Sequence, residues 1–135
     1  REILAHPRRI AVVGCSPDPT RDSHRVAKLL IARGHQVVPV NPRADEILGQ
    51  RCYPSLSAIP GGVEMVDVFR RPEEVAAITA EAIAVGARIL WLQLGVVDVA
   101  AASAAQRAGL IVVMDRCPAI EYPRLFGPDD ELDAH

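Results

Sequence analysis

Five short runs of aliphatic and β-branched residues punctuate the chain: IAVVG (10–14), HQVVPV (35–40), VEMVDVF (63–69), RILWLQLG (88–95) and LIVVMD (110–115). Helical segments or turns lie between them. SHRVAKLLIARG (23–34) places Val26, Leu29, Leu30 and Arg33 at helical spacing, with Asp22 or Ser23 as the expected N-cap and Gly34 as the stop. SLSAIP (55–60) reads as a short helical turn closed by Pro60, Gly61 and Gly62. In RPEEVAAITAEAIAVGA, Pro72 takes the first helical position and Glu73 and Glu74 the first turn, where the helix dipole favours anions. DVAAASAAQRAG (98–109) is an alanine-rich helix with Asp98 as its expected cap. Strands that alternate with helices require crossover connections, and these produce a parallel sheet. The chain therefore predicts a doubly wound α/β domain: a five-stranded parallel sheet with helices on both faces. The fourth run, nearly continuous in apolar residues, suits a strand buried on both sides. Pro39 places the second run at an edge or a strand end. Glu64 and Asp67 of the third run need not face the core.

Composition narrows the function classes. The 135 residues suffice for one domain with a full core, and that domain is expected to span 1–135, with its core over about 5–126 and an acidic tail over 127–135. Half of the residues are hydrophobic but only 4% are aromatic, so the core must be aliphatic. A formal charge of -2 provides no basic field for nucleic acid, and no apolar run approaches the roughly 20 residues of a membrane span. Cys15, Cys52 and Cys117 are odd in number and lack metal-ligand spacing, which suits a reducing cytoplasm. His6, His24, His35 and His135 match no zinc pattern, so no metal is expected.

In such a sheet, ligands bind beyond the carboxyl ends of the strands, where the strand order reverses. After the first strand come Gly14, Cys15, Ser16 and Pro17, and the further glycines of a dinucleotide-binding loop do not follow. The longer loop, with Ser16, Arg21 and Ser23, either contacts phosphate through hydroxyls, N–H groups and a guanidinium or is an ordinary connection shaped by Pro and Asp. The second strand leads into Asn41, Pro42 and Arg43, with no carboxylate before Asp45 to accept from ribose hydroxyls. That disfavours NAD and permits NADP or coenzyme A, whose extra phosphate a guanidinium can pair through two N–H groups; otherwise Arg43 is a solvated loop charge. Arg70 and Arg71 gain nothing from the helix start that follows them, so an anion explains them better, with Arg70 as the inward one. Gln93, Leu94 and Gly95 end the fourth strand, and Asp115, Arg116, Cys117 and Pro118 the fifth.

Catalytic patterns are weak. There is no Ser-His-Asp set, no G-x-S-x-G elbow and no carboxylate pair with an evident task. His24 suits a structural or ligand-stacking role, and Trp91 and Cys52 suit packing. Cys15 and Cys117 are either small buried hydrophobes or thiols that react with a ligand thiol, which would require exposure and a depressed pKa.

The segments VGCSPDPTRDSHRVAKLL, PVNPRADEILGQRCYPSL, VDVFRRPEEV, AVGARILWLQLGV and AGLIVVMDRCPAIEYPRL resemble, in that order, the small single-domain CoA-binding proteins of bacteria and archaea. That family is related to the CoA-binding domain of the succinyl-CoA synthetase α-subunit. The resemblance spans about residues 5–126. It implies a Rossmann-like fold with CoA across the strand ends. Gly14, Cys15, Ser16, Pro17, Arg21 and Ser23 would hold the CoA phosphates. Asn41, Pro42 and Arg43 would border the adenosine 3′-phosphate, Phe69 and Arg70 would line the adenine side, and Gln93, Leu94 and Gly95 would meet the ligand at the reversal. The synthetase subunit carries a second domain with a phosphorylated histidine, for which this chain has no room, so synthetase activity does not carry over. The expectation is a cytoplasmic protein holding CoA or acyl-CoA without catalysis of its own, with a homo-oligomer or an enzyme as partner. The alternatives are an NADP-dependent oxidoreductase using His24, Asp115 or Tyr122, a carrier joined to CoA through Cys15 or Cys117, and the CoA-binding subunit of a larger acyl-CoA ligase.

Overall fold

The computed structural model describes residues 8–92 and 99–114. The chain enters through β1 (Arg9–Val13), α1 (Asp22–Ala32) and β2 (Gln36–Val40), then makes a small hairpin of β3 (Glu46–Ile47) and β4 (Gln50–Arg51). It continues through β5 (Met65–Val68), α2 (Val75–Ala84), β6 (Ile89–Leu92), α3 (Val99–Arg107) and β7 (Ile111–Met114). Single 3₁₀ turns occupy Leu56–Ala58 and Pro72–Glu74. The main sheet has the order β2-β1-β5-β6-β7, and all of its pairings are parallel. The five expected strands are therefore the five observed. The chain steps outward from β1 to β2, then returns past β1 to β5 and onward, so the order reverses between β1 and β5.

Alternation along the strands feeds two aliphatic layers. Ala11, Val13, Val66, Val68, Leu90 and Leu92 face α2, α3 and the 56–58 turn, where Val75, Ala82, Ala101 and Ala105 are buried. Ile10, Val12, Met65, Ile89 and Trp91 face the other way, against Val26, Ala27, Leu29 and Leu30 of α1. Every residue of β5 and β6 is buried, as central strands covered on both faces require. Trp91 and Cys52 are packing residues, as expected.

Asp67 has no solvent face. It is fully buried on β5, in register with Val12 of β1 and Trp91 of β6, because a central strand of a doubly covered sheet has no solvent face. Glu64, just before that strand, is exposed. Arg21 is the N-cap of α1, in place of Asp22 or Ser23, and Pro72–Glu74 form a 3₁₀ turn before α2 instead of its first α-helical turn.

Pro39 sits on the edge strand, as its chemistry predicts. Its carbonyl points outward and accepts from Tyr53 N–H at 3.0 Å. A residue's N–H and C=O leave a strand on the same side, so the missing donor falls on the outer edge, where no ladder bond to β1 is lost. The β3–β4 hairpin went unforeseen. Its turn residues, Leu48 (φ 54°) and Gly49 (φ 73°), both adopt positive φ, as the favoured two-residue hairpin turn demands, but Leu-Gly lacks the usual Asn-Gly or Asp-Gly signature.

At the opposite end of the sheet from the candidate site, His35 is buried, and its Nδ1 accepts from Arg8 N–H at 3.1 Å. Burial lowers its pKa, and the Arg8 charge adds to the effect. The unfolded chain therefore takes up a proton at His35 before the fold does. This contribution leaves stability unchanged above the unfolded pKa of about 6.5, and stability falls as the pH drops below that value. Urea unfolding from pH 7.5 to 5.5 should show a steeper loss for the wild type than for His35→Asn; equal slopes would refute the assignment.

Candidate functional site

Gly14 lies where three strand ends meet. Its N–H donates to Val40 O of β2 at 2.9 Å, and Phe69 N–H, at the end of β5, donates to Val13 O at 2.8 Å. Gly14 adopts φ +84°, and a Cβ placed there would lie 2.4 Å from the Phe69 carbonyl oxygen and 3.2 Å from Arg70 Cδ. The sheet reversal is thus a tight backbone crossing with the half-buried Arg70 side chain alongside it. Arg70 is the inward cation of its pair. Arg71 is exposed, with its Nε 3.7 Å from Glu74 Oε2.

The loop after Gly14 is braced by its own side chains. Ser16 N–H donates to Ser23 Oγ at 2.9 Å, and Asp18 N–H donates to Ser16 Oγ at 3.1 Å. Thr20 donates to Asp18 Oδ1 through its N–H at 2.9 Å and its hydroxyl at 2.8 Å; these bonds, the backbone one foremost, hold the exposed Asp18 carboxyl below its usual range. His24 donates from Nδ1 to Ser16 O at 2.9 Å, since a carbonyl can only accept. His24 therefore ties the loop to the first turn of α1, a structural role of the kind its sequence context suggested. The Arg21 cap makes no side-chain hydrogen bond to that turn, whose first N–H groups have no partner within the helix itself. Asp22 pairs with Arg25 on the exposed side.

At the end of β2, every polar atom of Asn41 is engaged. Its N–H donates to Tyr53 O at 2.9 Å, and its O accepts from Cys52 Sγ at 3.5 Å. Its side-chain Nδ2 donates to Cys15 O at 2.9 Å, and its Oδ1 accepts from Arg43 N–H, also at 2.9 Å. Beyond it, Pro42 and Arg43 are exposed, and the Arg51 guanidinium lies over the Tyr53 ring, 5.3 Å from its centroid.

Cys15 is fully buried. Burial, and then the nearby Cys52 and Asp67, push its thiol up to about 12. At neutral pH it is a protonated core side chain, so a mixed disulfide with a ligand thiol has neither the exposure nor the depressed pKa it needs at this position. The small-hydrophobe reading holds for Cys15.

Of the expected site residues, Gly14, Cys15, Ser16, Ser23, Asn41, Phe69 and Arg70 gather around the crossing, with Phe69 packed against the core under α1. Pro17, Arg21, Pro42 and Arg43 form the exposed rim. Gln93, Leu94 and Gly95 lie outside the described residues, as do Asp98, Asp115, Arg116, Cys117, Pro118, Tyr122 and the acidic tail. Sequence reasoning missed the Arg51–Tyr53 pair, because the hairpin that presents it was missed. The arrangement offers guanidinium groups and an uncapped helix start to an anion. Among the described residues, no cluster of His, Cys, Asp or Glu could hold a metal ion, and no helix is long and apolar enough to cross a membrane.

Comparison with known proteins gives a consistent set of similarities. Residues 8–123 match the family described as CoA binding domain. The chain is 40% identical over 117 residues to the uncharacterized protein YneT of Bacillus subtilis (strain 168), covering 87% of each. It is 43% identical over 61 residues to the acetate–CoA ligase [ADP-forming] II subunit alpha of Pyrococcus furiosus, a match that covers 44% of this chain but only 13% of that one. Among solved structures, a hypothetical protein from Pyrococcus horikoshii OT3 superposes with a TM-score of 0.90 at 43% identity, over 94% of this chain and 89% of that one.

Proposed function

Because the chain belongs to the CoA-binding domain family, we propose that it holds CoA or an acyl-CoA across the carboxyl ends of β1, β2 and β5. The observation that carries this reading is the crossing at Gly14, flanked by Arg70 and by two loops that present Arg21 and Arg43 to solvent. The uncapped start of α1 and Ser16 meet the pyrophosphate, Arg43 meets the adenosine 3′-phosphate, and Phe69 and Arg70 border the adenine. The protein acts in the cytoplasm and carries out no chemical step of its own.

Isothermal titration with CoA, acetyl-CoA and NADP tests the reading. CoA and acetyl-CoA should bind and NADP should not; absence of CoA binding would overturn it. A second reading has support of its own. The stretch shared with the acetate–CoA ligase subunit alpha favours a role as the CoA-holding part of a larger acyl-CoA ligase, in which a partner chain supplies the catalytic groups. Co-purification of such a chain, with CoA-dependent ligase activity in the complex alone, would establish it.

A further inference from the structure

We infer that Asn41 is a positioning residue that joins the pyrophosphate loop and the Arg43 turn into one rigid rim, so that the two ends of the ligand are recognised together. The inference rests on the CoA-binding reading above and changes the part Asn41 plays in it. The Asn41 amide is oriented by the protein at both ends: one N–H of Nδ2 donates to the Cys15 carbonyl, and Oδ1 accepts from Arg43 N–H. The Oδ1 bond closes an Asx turn that presents Arg43 at a fixed place on the rim. The Nδ2 bond crosses from β2 to the residue before Ser16, the start of the braced loop. The backbone of Asn41 is fixed in turn by Tyr53 O and Cys52 Sγ on the segment that follows the hairpin. Three segments therefore meet at one residue: the loop after β1 and the turn after β2 at its side chain, and the strand edge at Tyr53 at its backbone. The bond from Gly14 N–H to Val40 O already joins the two strand ends, and the Asn41 side chain carries that tie beyond the sheet, from the loop to the Arg43 turn. Ser23 plays the matching part on the other side of the loop, accepting from Ser16 N–H while itself buried.

Dephospho-CoA, which lacks the 3′-phosphate, separates positioning from contact. If Asn41 touched the 3′-phosphate, Asn41→Ala would weaken CoA and leave dephospho-CoA unchanged. As a positioning residue, it should weaken both, each by about three- to tenfold, the scale of one lost hydrogen bond. Asn41→Ser provides the second variant. Its hydroxyl can still close the turn at Arg43 but is too short to reach Cys15, so it should cut the loop tie alone and weaken dephospho-CoA by nearly as much as Asn41→Ala. Amide exchange in the unliganded protein gives a readout independent of affinity. Loss of protection at Arg43 N–H in Asn41→Ala, but not in Asn41→Ser, is expected. If the wild type binds CoA and either variant weakens CoA alone or neither ligand, this inference is overturned and the binding reading stands. If the wild type does not bind CoA, both fail.

Discussion

Gly14→Ala should destabilise the fold by about 3 kcal/mol or more and abolish measurable CoA binding. Two costs combine at this position. The first is conformational: φ is +84°, where a Cβ is strained, at about 1 kcal/mol. The second is steric and larger. The new Cβ would stand 2.4 Å from Phe69 O, which belongs to backbone pinned by the bond from Phe69 N–H to Val13 O. A flexible side chain could swing away, but this carbonyl cannot move without parting β1 from β5 at the reversal. Gly34→Ala is the control. Gly34 has a similar φ of +91° but nothing within 4 Å of its would-be Cβ, so only the conformational cost applies, about 1 kcal/mol. Urea unfolding of both variants measures the difference directly. If they lose the same stability, the crossing tolerates a methyl group and the tight-contact account is wrong.

The fold was legible because its signals were local and mutually consistent. Alternating aliphatic runs, caps and proline positions each pointed to the same parallel sheet. The sequence failed where tertiary context overrode a local rule. A lone Asp in a strand ordinarily argues for a solvent face, yet Asp67 is buried because α1 and α2 cover opposite sides of the central strands. The hairpin escaped because Leu48 takes a positive φ that its own chemistry disfavours, held there by pairing of Ile47 with Gln50 and by the partial packing of Leu48 on the core. At the site, residue types and strand ends identified the rim, but they did not separate residues that face a ligand from residues that hold others in place. Asn41 and Ser23 looked like ligand contacts because short polar side chains at strand and helix ends serve either purpose. Only the partners of their polar atoms distinguish the two: Ser16 for Ser23, and Arg43 and the sequence-distant Cys15 for Asn41. Cys15 shows the converse: a strand-end position suited to chemistry whose side chain turns inward to the core.

Arg43→Ala should weaken CoA binding by about 10- to 100-fold, the range set by losing a charge-assisted hydrogen bond to phosphate, and leave dephospho-CoA binding unchanged. The guanidinium is exposed, and among the described residues no carboxylate lies within ion-pairing distance of it. Its backbone, by contrast, is fixed by the Asn41 turn. Such a charge contributes little to the fold, so Arg43→Ala should shift stability by less than about 0.5 kcal/mol. That asymmetry, a large change in affinity with almost none in stability, is what distinguishes a ligand contact from a structural residue. Arg43→Lys should recover part of the affinity, since an ammonium supplies the charge but not the paired N–H groups that match phosphate oxygens. Raising the salt should narrow the gap between CoA and dephospho-CoA in the wild type, because an exposed pair is screened, and should leave Arg43→Ala with no gap to narrow. If CoA and dephospho-CoA weaken equally in Arg43→Ala, the guanidinium serves the pyrophosphate or the loop instead. If neither weakens, Arg43 is a solvated charge and the 3′-phosphate is read by another residue on the rim, with Arg51, held over Tyr53 beside the same turn, the next to replace.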